Sequence, residues 1–288
     1  MAIDPDKLMA LEIPEVRHSY TKRDVSLYAL GLGYGGDPTD EGQLSFLDEN
    51  RIQVVPTMAN VLGFPGFWMR DLDTGIDHLR VVHGEQETKL HRELPPEGTV
   101  IGRTKVVDIV DKGEGRGALV FFEREITDAE SGVPLATIVQ TTFCRGDGGF
   151  GGKSDTARQP RRDPDREADL FIEIPTPPQL ALIYRLSGDY NPLHSDPQTA
   201  RKAKFDRPIL HGLATFGLGC RGLMTMLCGN RGAAVQHIEG RFSAPVYPGE
   251  TVGIDIWHEG SGKAAFRMRV PARDVVILQH GFFKFSDI

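Results

Sequence analysis

The feature of this sequence that most constrains its fold is an order of elements that occurs twice. Each half has a helix-like segment, an irregular segment and then four β-branched or alternating runs, which predict an antiparallel meander. The repeated order predicts a diverged internal duplication, although sequence identity between the halves is not obvious. The runs are 79–90, 99–110, 117–126 and 135–143 in the first half, and 235–243, 251–258, 263–270 and 275–285 in the second.

Each meander is expected to wrap around one central apolar helix. In the second half this helix is predicted over 213–228, where small residues let the sheet approach closely. In the first half the equivalent stretch, 59–68, is short and contains Pro65, so we expect a degraded helix and a void. The polar, glycine-rich segment 148–169 is predicted to link an N-terminal unit, 1–147, to a C-terminal unit, 170–288.

Composition and charge exclude several classes of protein. A net charge of −7 argues against broad nucleic-acid binding, which needs a basic face. Three cysteines without a C-x-x-C spacing indicate neither a disulfide framework nor a cysteine zinc site. No stretch has the ~18 unbroken apolar residues of a membrane span. The N-terminus lacks a signal-peptide pattern and the C-terminal FSDI is not a peroxisomal address, so we expect a cytoplasmic location.

One glycine-rich segment formally satisfies the dinucleotide-binding pattern G-x-G-x-x-G, through Gly31, Gly33 and Gly36. That pattern must follow a strand and open a helix. Here it follows a predicted helix capped by Thr21 and continues into a loop, so a glycine-rich helix end explains it better.

The strongest candidate site is the loop Asp189-Tyr190-Asn191-Pro192-Leu193-His194. A helix predicted over 178–186 ends before it at Gly188, and a second apolar segment begins after it at Gly212. A carboxylate and an imidazole on a stiff loop can move a proton or activate water. Turn formation is the alternative explanation, because Asp, Asn and Pro favour turns for local reasons.

The longer string SGDYNPLHSDP followed by FDRPILHGLATFG resembles the type 2, (R)-specific enoyl-CoA hydratases of the MaoC-like group. The same domain forms the hydratase part of peroxisomal multifunctional enzyme type 2. HGEQ at 83–86, GGFGGK at 148–153 and FSAPVYPGET at 242–251 extend the resemblance over nearly the full length. It implies an α+β double hot-dog fold, with two antiparallel sheets each wrapped on a central helix, the N-terminal one degraded. The first half would then bind the acyl chain and the second would carry the chemistry.

The resemblance also implies roles for particular residues. Asp189 and His194 would hold the water, Asn191 would help to position it, and the Gly212 amide would bind the thioester oxygen. The substrate-binding residues expected from the resemblance and from their position in the loop are His83, Gly84, Lys112, Tyr190, Pro192, Leu193 and Phe242. The implied partner is an acyl-CoA, with no cofactor and no metal, and relatives suggest a homodimer.

A basic cluster follows the loop and includes Lys204 and Arg207. It is either a phosphate contact for CoA or a solvated face. Two further residues stay open. Glu49 lies where some relatives have an acidic residue of functional weight, although its surroundings differ, and His211 fits a buried structural histidine bonded to backbone.

Two rival functions remain at this stage. A hot-dog thioesterase would direct water to the carbonyl carbon instead of the β-carbon, but thioesterases of this fold lack the D-x-N-P-x-H loop. A non-catalytic acyl-CoA-binding protein would lack the Asp189, Asn191 and His194 set, which the second half retains.

Overall fold

The computed structural model describes residues 3–156 and 161–286, which form ten strands and seven α-helices. The strands are β1 Val16–Tyr20, β2 Val81–Leu90, β3 Gly98–Asp111, β4 Ala118–Asp128, β5 Pro134–Cys144, β6 Leu170–Pro175, β7 Val235–Phe242, β8 Thr251–His258, β9 Lys263–Val270 and β10 Val275–Phe285. The helices are α1 Pro5–Met9, α2 Lys22–Leu30, α3 Glu41–Leu44, α4 Trp68–Asp71, α5 Leu180–Tyr184, α6 Pro197–Lys202 and α7 Gly212–Leu227.

All ten strands lie in one antiparallel sheet, in the order β1-β3-β4-β5-β2-β7-β10-β9-β8-β6. The two halves have the same internal order, because β1, β3, β4, β5 and β2 correspond to β6, β8, β9, β10 and β7. This supports the predicted duplication and gives the predicted α+β double hot-dog. The two sheets are not separate, however, since β2 and β7 pair with each other and join them.

The eight predicted runs agree closely with strands, but the predicted meander order was wrong in one pairing of each half. β2 pairs with β5 instead of β3, and β7 pairs with β10 instead of β8. The connections after β2 and β7 contain prolines and are too long for a tight hairpin, so the chain crosses to another strand. The short strands β1 and β6, at the two ends of the sheet, were also missed.

The central helix α7 confirms the prediction for the second half, and its glycines meet the sheet directly. A Cβ on Gly219 would lie 2.8 Å from the Met268 sulfur, and one on Gly222 would collide with Ile254. Glycine is therefore needed at these positions for the helix to lie close to β8 and β9. No helix in the described part of the chain is long and apolar enough to cross a membrane.

The equivalent region of the first half is degraded, as predicted. It contains only the 3-10 helix Pro56–Asn60, followed by a turn at Gly63 with φ +56°. Gly102 of β3 comes so close that a Cβ there would lie 2.8 Å from the Gly63 Cα. The two backbones can approach so closely because both residues are glycines.

The segment predicted as a linker packs along the sheet where it is described. The Asp111 carboxylate accepts hydrogen bonds from the backbone N–H groups of Gly149 and Gly151, at 2.8 and 2.7 Å. Beyond residues 157–160, which lie outside the described residues, Asp163 accepts a bond from the His280 N–H at 2.6 Å. The glycine-rich segment that follows α2 is a turn, with positive φ at Gly33 and Gly35.

A buried charge cluster joins the two halves at the β2–β7 junction. Glu87 and Glu239 lie directly opposite each other, and like charges in that arrangement repel. The His237 Nε2 lies 3.2 Å from Glu87 and 3.5 Å from Glu239. Burial alone would lower the pKa of His237, but the two carboxylates beside it outweigh burial and raise it. The raised pKa favours the protonated imidazole, which reduces the repulsion between the two carboxylates, as do Lys89 at Glu87 and Arg161 at Glu239.

The stability contribution of His237 is expected to depend on pH. Because its folded pKa is raised above the ordinary 6.5, the contribution is full below 6.5 and declines as the pH rises through the folded value. His237→Gln should lower the free energy of unfolding by about 1–3 kcal/mol at a pH near 6, and by less at a pH near 9. Urea unfolding of both proteins across this range measures the difference. His91→Gln, at an exposed site, is the control, and a pH-independent loss for His237→Gln would contradict the account.

Candidate active site

The candidate loop is fixed at its start by a helix end. Helix α5 continues into a 3-10 turn, Arg185–Ser187, and stops at Gly188. Gly188 has φ +119°, a conformation that glycine adopts without strain. The predicted helix end is therefore confirmed, and Asp189 is the first residue of the loop that follows it.

Within the loop, Asp189 and Asn191 make turn bonds. The Asp189 carboxylate accepts from the Asn191 N–H at 3.1 Å, and the Asn191 side-chain oxygen accepts from the Leu193 N–H at 3.0 Å. The second bond caps the 3-10 turn Pro192–His194, with Pro192 at its first position. Turn formation and a functional site are thus not exclusive here, because the turn aims His194 inward while Asp189 stays exposed.

His194 is buried and held in one tautomer. Its Nδ1 lies 2.9 Å from the backbone carbonyl of Ile209, which can only accept, so Nδ1 carries the proton. The Nε2 of the neutral ring is then an unprotonated base. Burial lowers the pKa of His194, partly offset by the bond to Ile209 and the charge of Asp189. The ring therefore stays neutral at neutral pH.

His211, the residue before α7, lies against His194. The two imidazole rings stack with centroids 3.8 Å apart and an angle of 28°. His211 Nε2 lies 3.1 Å from the Asp189 backbone carbonyl and must donate to it. Burial and the neighbouring His194 lower the pKa of His211. This position agrees with the expectation of a buried histidine bonded to backbone.

The three side chains are close enough to suggest a metal site. One atom each of the Asp189 carboxylate, the His194 ring and the His211 ring lie within 4.8 Å of one another. The lone pairs of imidazoles lie in the ring planes, however, and stacked rings direct them side by side instead of toward one point. The arrangement therefore suits the exchange of a proton with a water molecule better than the coordination of an ion.

Gly212 begins α7, so its backbone N–H is one of the unpaired donors at the positive end of a 16-residue helix. A Cβ on Gly212 would lie 3.7 Å from the Phe242 ring and 4.0 Å from the His83 Nδ1. The His83 and Phe242 rings meet edge to face, with centroids 4.7 Å apart. The structure therefore brings together three of the residues expected at the substrate.

His83 reaches this place because β2 pairs with strands of both halves. Gly84 forms a bulge between the pairs His83–Thr142 and Glu85–Thr141, which bends the start of the strand. A Cβ on Gly84 would lie 3.2 Å from the Thr141 carbonyl, so the position favours glycine. Burial lowers the pKa of His83 to about 4, despite the opposing charge of Asp189, and the ring is neutral.

The remaining predicted residues lie around the loop at various distances. Tyr190 and Pro192 are exposed and Leu193 is half-buried. Lys204 and Arg207 are exposed beyond α6, with the Arg207 guanidinium 5.1 Å from the Tyr247 ring centroid. Lys112 lies in the β3–β4 turn. Ala118, at the start of β4, pairs with Cys144 of β5, and Cys144 also pairs with Val81 at the start of β2. Glu49 is exposed, and its backbone carbonyl accepts a hydrogen bond from the Lys22 Nζ at 3.0 Å.

A cleft of about 170 Å³ opens beside the loop. Apolar side chains of α2, the degraded first-half segment and the turn before the loop line much of it, including Leu27, Met58, Leu62 and Leu186. The rest is lined by the polar side chains of His18, Tyr20, Asp24 and Ser187. Gly188, which also lines it, immediately precedes Asp189. The predicted void of the first half therefore borders the candidate site.

Two residues that lie near the site were not predicted from the sequence. The buried Tyr184 ring lies 5.0 Å from His211, and the Arg185 guanidinium lies 5.0 Å from the Tyr190 ring centroid. Both belong to the helix that leads into the loop. Only their closeness in sequence to Gly188 could have indicated a place near the site. Their contacts, with His211 and Tyr190, could not be predicted from the sequence.

Comparison with known proteins agrees with the predicted fold and family. Residues 156–279 match the MaoC like domain, and residues 18–146 match the MFE-2 hydratase 2 N-terminal domain. The chain is 42% identical to 3-hydroxyacyl-thioester dehydratase Y of Mycobacterium tuberculosis, over 95% of this chain and 94% of that protein. It is 38% identical to enoyl-CoA hydratase ChsH3 of the same organism, over 98% of each. The crystal structure of a MaoC-like dehydratase from Phytophthora capsici has 32% identity and a TM-score of 0.87, with 99% and 98% of the two chains covered.

The chain therefore belongs to the MaoC-like dehydratase family, with an N-terminal domain of the MFE-2 hydratase 2 type. The family predicted from the loop and its flanking motifs is confirmed.

Proposed function

We propose that this protein is an (R)-specific enoyl-CoA hydratase, a lyase that adds water reversibly to trans-2-enoyl-CoA to give (3R)-3-hydroxyacyl-CoA. The observation that carries this is the unprotonated Nε2 of His194, set by the Ile209 bond, beside the Asp189 carboxylate and the α7 start. The two close relatives named as a hydratase and a dehydratase support the same reaction in its two directions.

Hydration requires a base for water and a donor for the developing negative charge. In the proposed reaction Asp189 and His194 hold the water, and His194 Nε2 takes its proton as the hydroxide adds to the β-carbon. The charge that develops on the thioester oxygen is stabilised by the Gly212 N–H. A proton then returns to the α-carbon from the same side, which gives syn addition. Asn191, whose side-chain oxygen caps the turn, helps to position the water.

The substrate is proposed to lie across both halves. The first half, 1–147, would accept the acyl chain in the cleft beside Gly188, while the second half, 170–288, supplies the chemistry and 148–169 connects them. Lys204 and Arg207, with Lys112, are proposed to contact the CoA phosphates. A homodimer in the cytoplasm, with its buried cysteines reduced, completes the proposal.

The proposal is tested with Asp189→Asn, which removes the charge at nearly constant shape. Turnover of trans-2-decenoyl-CoA is expected to fall by about 10²–10⁴-fold, because general acid–base catalysis contributes about that much. Acyl-CoA binding, measured by calorimetry, should survive. Asp274→Asn is the matched control, since this exposed aspartate in a left-handed turn conformation is easily replaced by asparagine. A fully active Asp189→Asn protein would contradict the proposed role, and binding without any turnover in the wild type would leave a binding protein.

A further inference from the structure

His211 contacts two parts of the proposed machinery, Asp189 and His194, and immediately precedes a third, Gly212. Its Nε2–H donates to the Asp189 carbonyl at 3.1 Å, and its ring stacks on His194. Its backbone precedes Gly212, and its carbonyl accepts the first helical bond of α7 from the Thr215 N–H at 3.0 Å. One side chain therefore connects the loop that carries Asp189 and His194 to the start of α7.

Packing alone does not explain why residue 211 is a histidine. The residue is only 1% exposed, and its Nδ1 is buried with no hydrogen-bond partner among the residues that the structure describes. A polar atom that is buried without a partner destabilises a fold. A phenylalanine would fill a similar space against the Tyr184 and His194 rings without that cost.

We propose that His211 is a positioning residue for hydration, which holds the Asp189–His194 pair in register with the Gly212 amide. The inference rests on the proposed function. The donated bond fixes the backbone of Asp189, and therefore the position from which its carboxylate side chain extends. The stack fixes the plane of the His194 ring, so that its Nε2 stays directed at the water position. Both constraints originate at the first turn of α7, where the thioester oxygen would be bound.

The experiment compares two substitutions that separate the donor from the ring. His211→Phe keeps the stack and the apolar volume but removes the donor, whereas His211→Gln keeps an N–H donor at about the same reach. Loss of positioning should lower kcat of His211→Phe by about 100-fold with KM nearly unchanged, because a displacement of about 1 Å costs that much. His211→Gln loses the stack but keeps the donated bond that fixes the Asp189 backbone, and the Ile209 bond still holds the His194 ring. It should therefore retain kcat within about tenfold of the wild type.

A purely structural role predicts the opposite order, because phenylalanine packs better than glutamine in a buried site. Activity of His211→Phe equal to or above that of His211→Gln, in folded proteins, would therefore overturn the inference. Absence of hydration in the wild type would instead overturn the proposed function.

A measurement on the unmodified protein covers the case in which either variant fails to fold. In ¹⁵N-histidine-labelled wild type, the inference predicts that His211 is neutral with its proton on Nε2, and that His194 carries its proton on Nδ1. A His211 protonated on Nδ1 alone could not donate to Asp189 and would overturn the inference, whatever the activity of the enzyme.

Discussion

Replacing His194 with asparagine is expected to lower kcat for hydration by about 10²–10⁴-fold, the usual contribution of a general base. The asparagine side-chain N–H₂ lies near the position of the His194 Nδ1, so the bond to the Ile209 carbonyl can persist. The change therefore removes the Nε2 lone pair while keeping the loop in place. Turnover is measured from the loss of absorbance of the conjugated thioester, and the fold is checked by thermal unfolding.

His258→Asn, at an exposed residue at the end of β8, is the matched control and should leave turnover unchanged. The wild-type pH profile gives an independent check. Because burial lowers the pKa of His194 from the ordinary 6.5, the acid limb of kcat/KM should lie below that value. An acid limb above 6.5, or a His194→Asn protein of full activity, would contradict the assignment of this base.

Gly212→Ala is expected to lower kcat/KM by about 100-fold or more, the effect of losing an oxyanion donor. The added methyl would stand 3.7 Å from the Phe242 ring and 4.0 Å from the His83 Nδ1, so the fold accepts it without a collision. It would, however, occupy the space in front of the amide that the thioester oxygen needs. Because alanine favours helix by up to about 1 kcal/mol over glycine, the melting temperature should stay the same or rise.

This combination of retained stability and lost activity distinguishes a site glycine from a packing glycine. Gly36→Ala serves as the control, since its added methyl would meet nothing closer than the Gly33 carbonyl at 3.5 Å. Its activity and stability should both remain near those of the wild type. Full activity of Gly212→Ala with trans-2-decenoyl-CoA would contradict the use of this amide.

The sequence predicts those structural features that neighbouring residues in the chain determine. Gly188 ends a helix and Pro192 prevents its continuation, so the loop could be placed from the residues themselves. Helix α7 and the eight long strands follow from apolar patterns that extend over eight or more residues. The degraded helix of the first half was also predictable, because Pro65 interrupts its pattern.

The parts that could not be predicted depend on contacts between distant residues. Nothing local to His211 indicates that its ring stacks on His194, because the stack depends on how the loop returns to the start of α7. The joining of β2 to β7 was likewise hidden, since an antiparallel pairing partner is set by the opposing strand. The strands β1 and β6 are only five and six residues long, and their patterns were too short to separate from loop.

The most direct test of the central claim is the fate of trans-2-decenoyl-CoA with the wild-type protein. Absorbance of the conjugated thioester, free thiol and the configuration of the product are followed in the same reaction. The account predicts that absorbance is lost while the thioester stays intact, and that a (3R)-specific dehydrogenase oxidises the product. Release of free CoA would mean that water attacks the carbonyl carbon, and a (3S) product would mean addition to the other face. Either result would contradict the proposed arrangement of Asp189, His194 and Gly212.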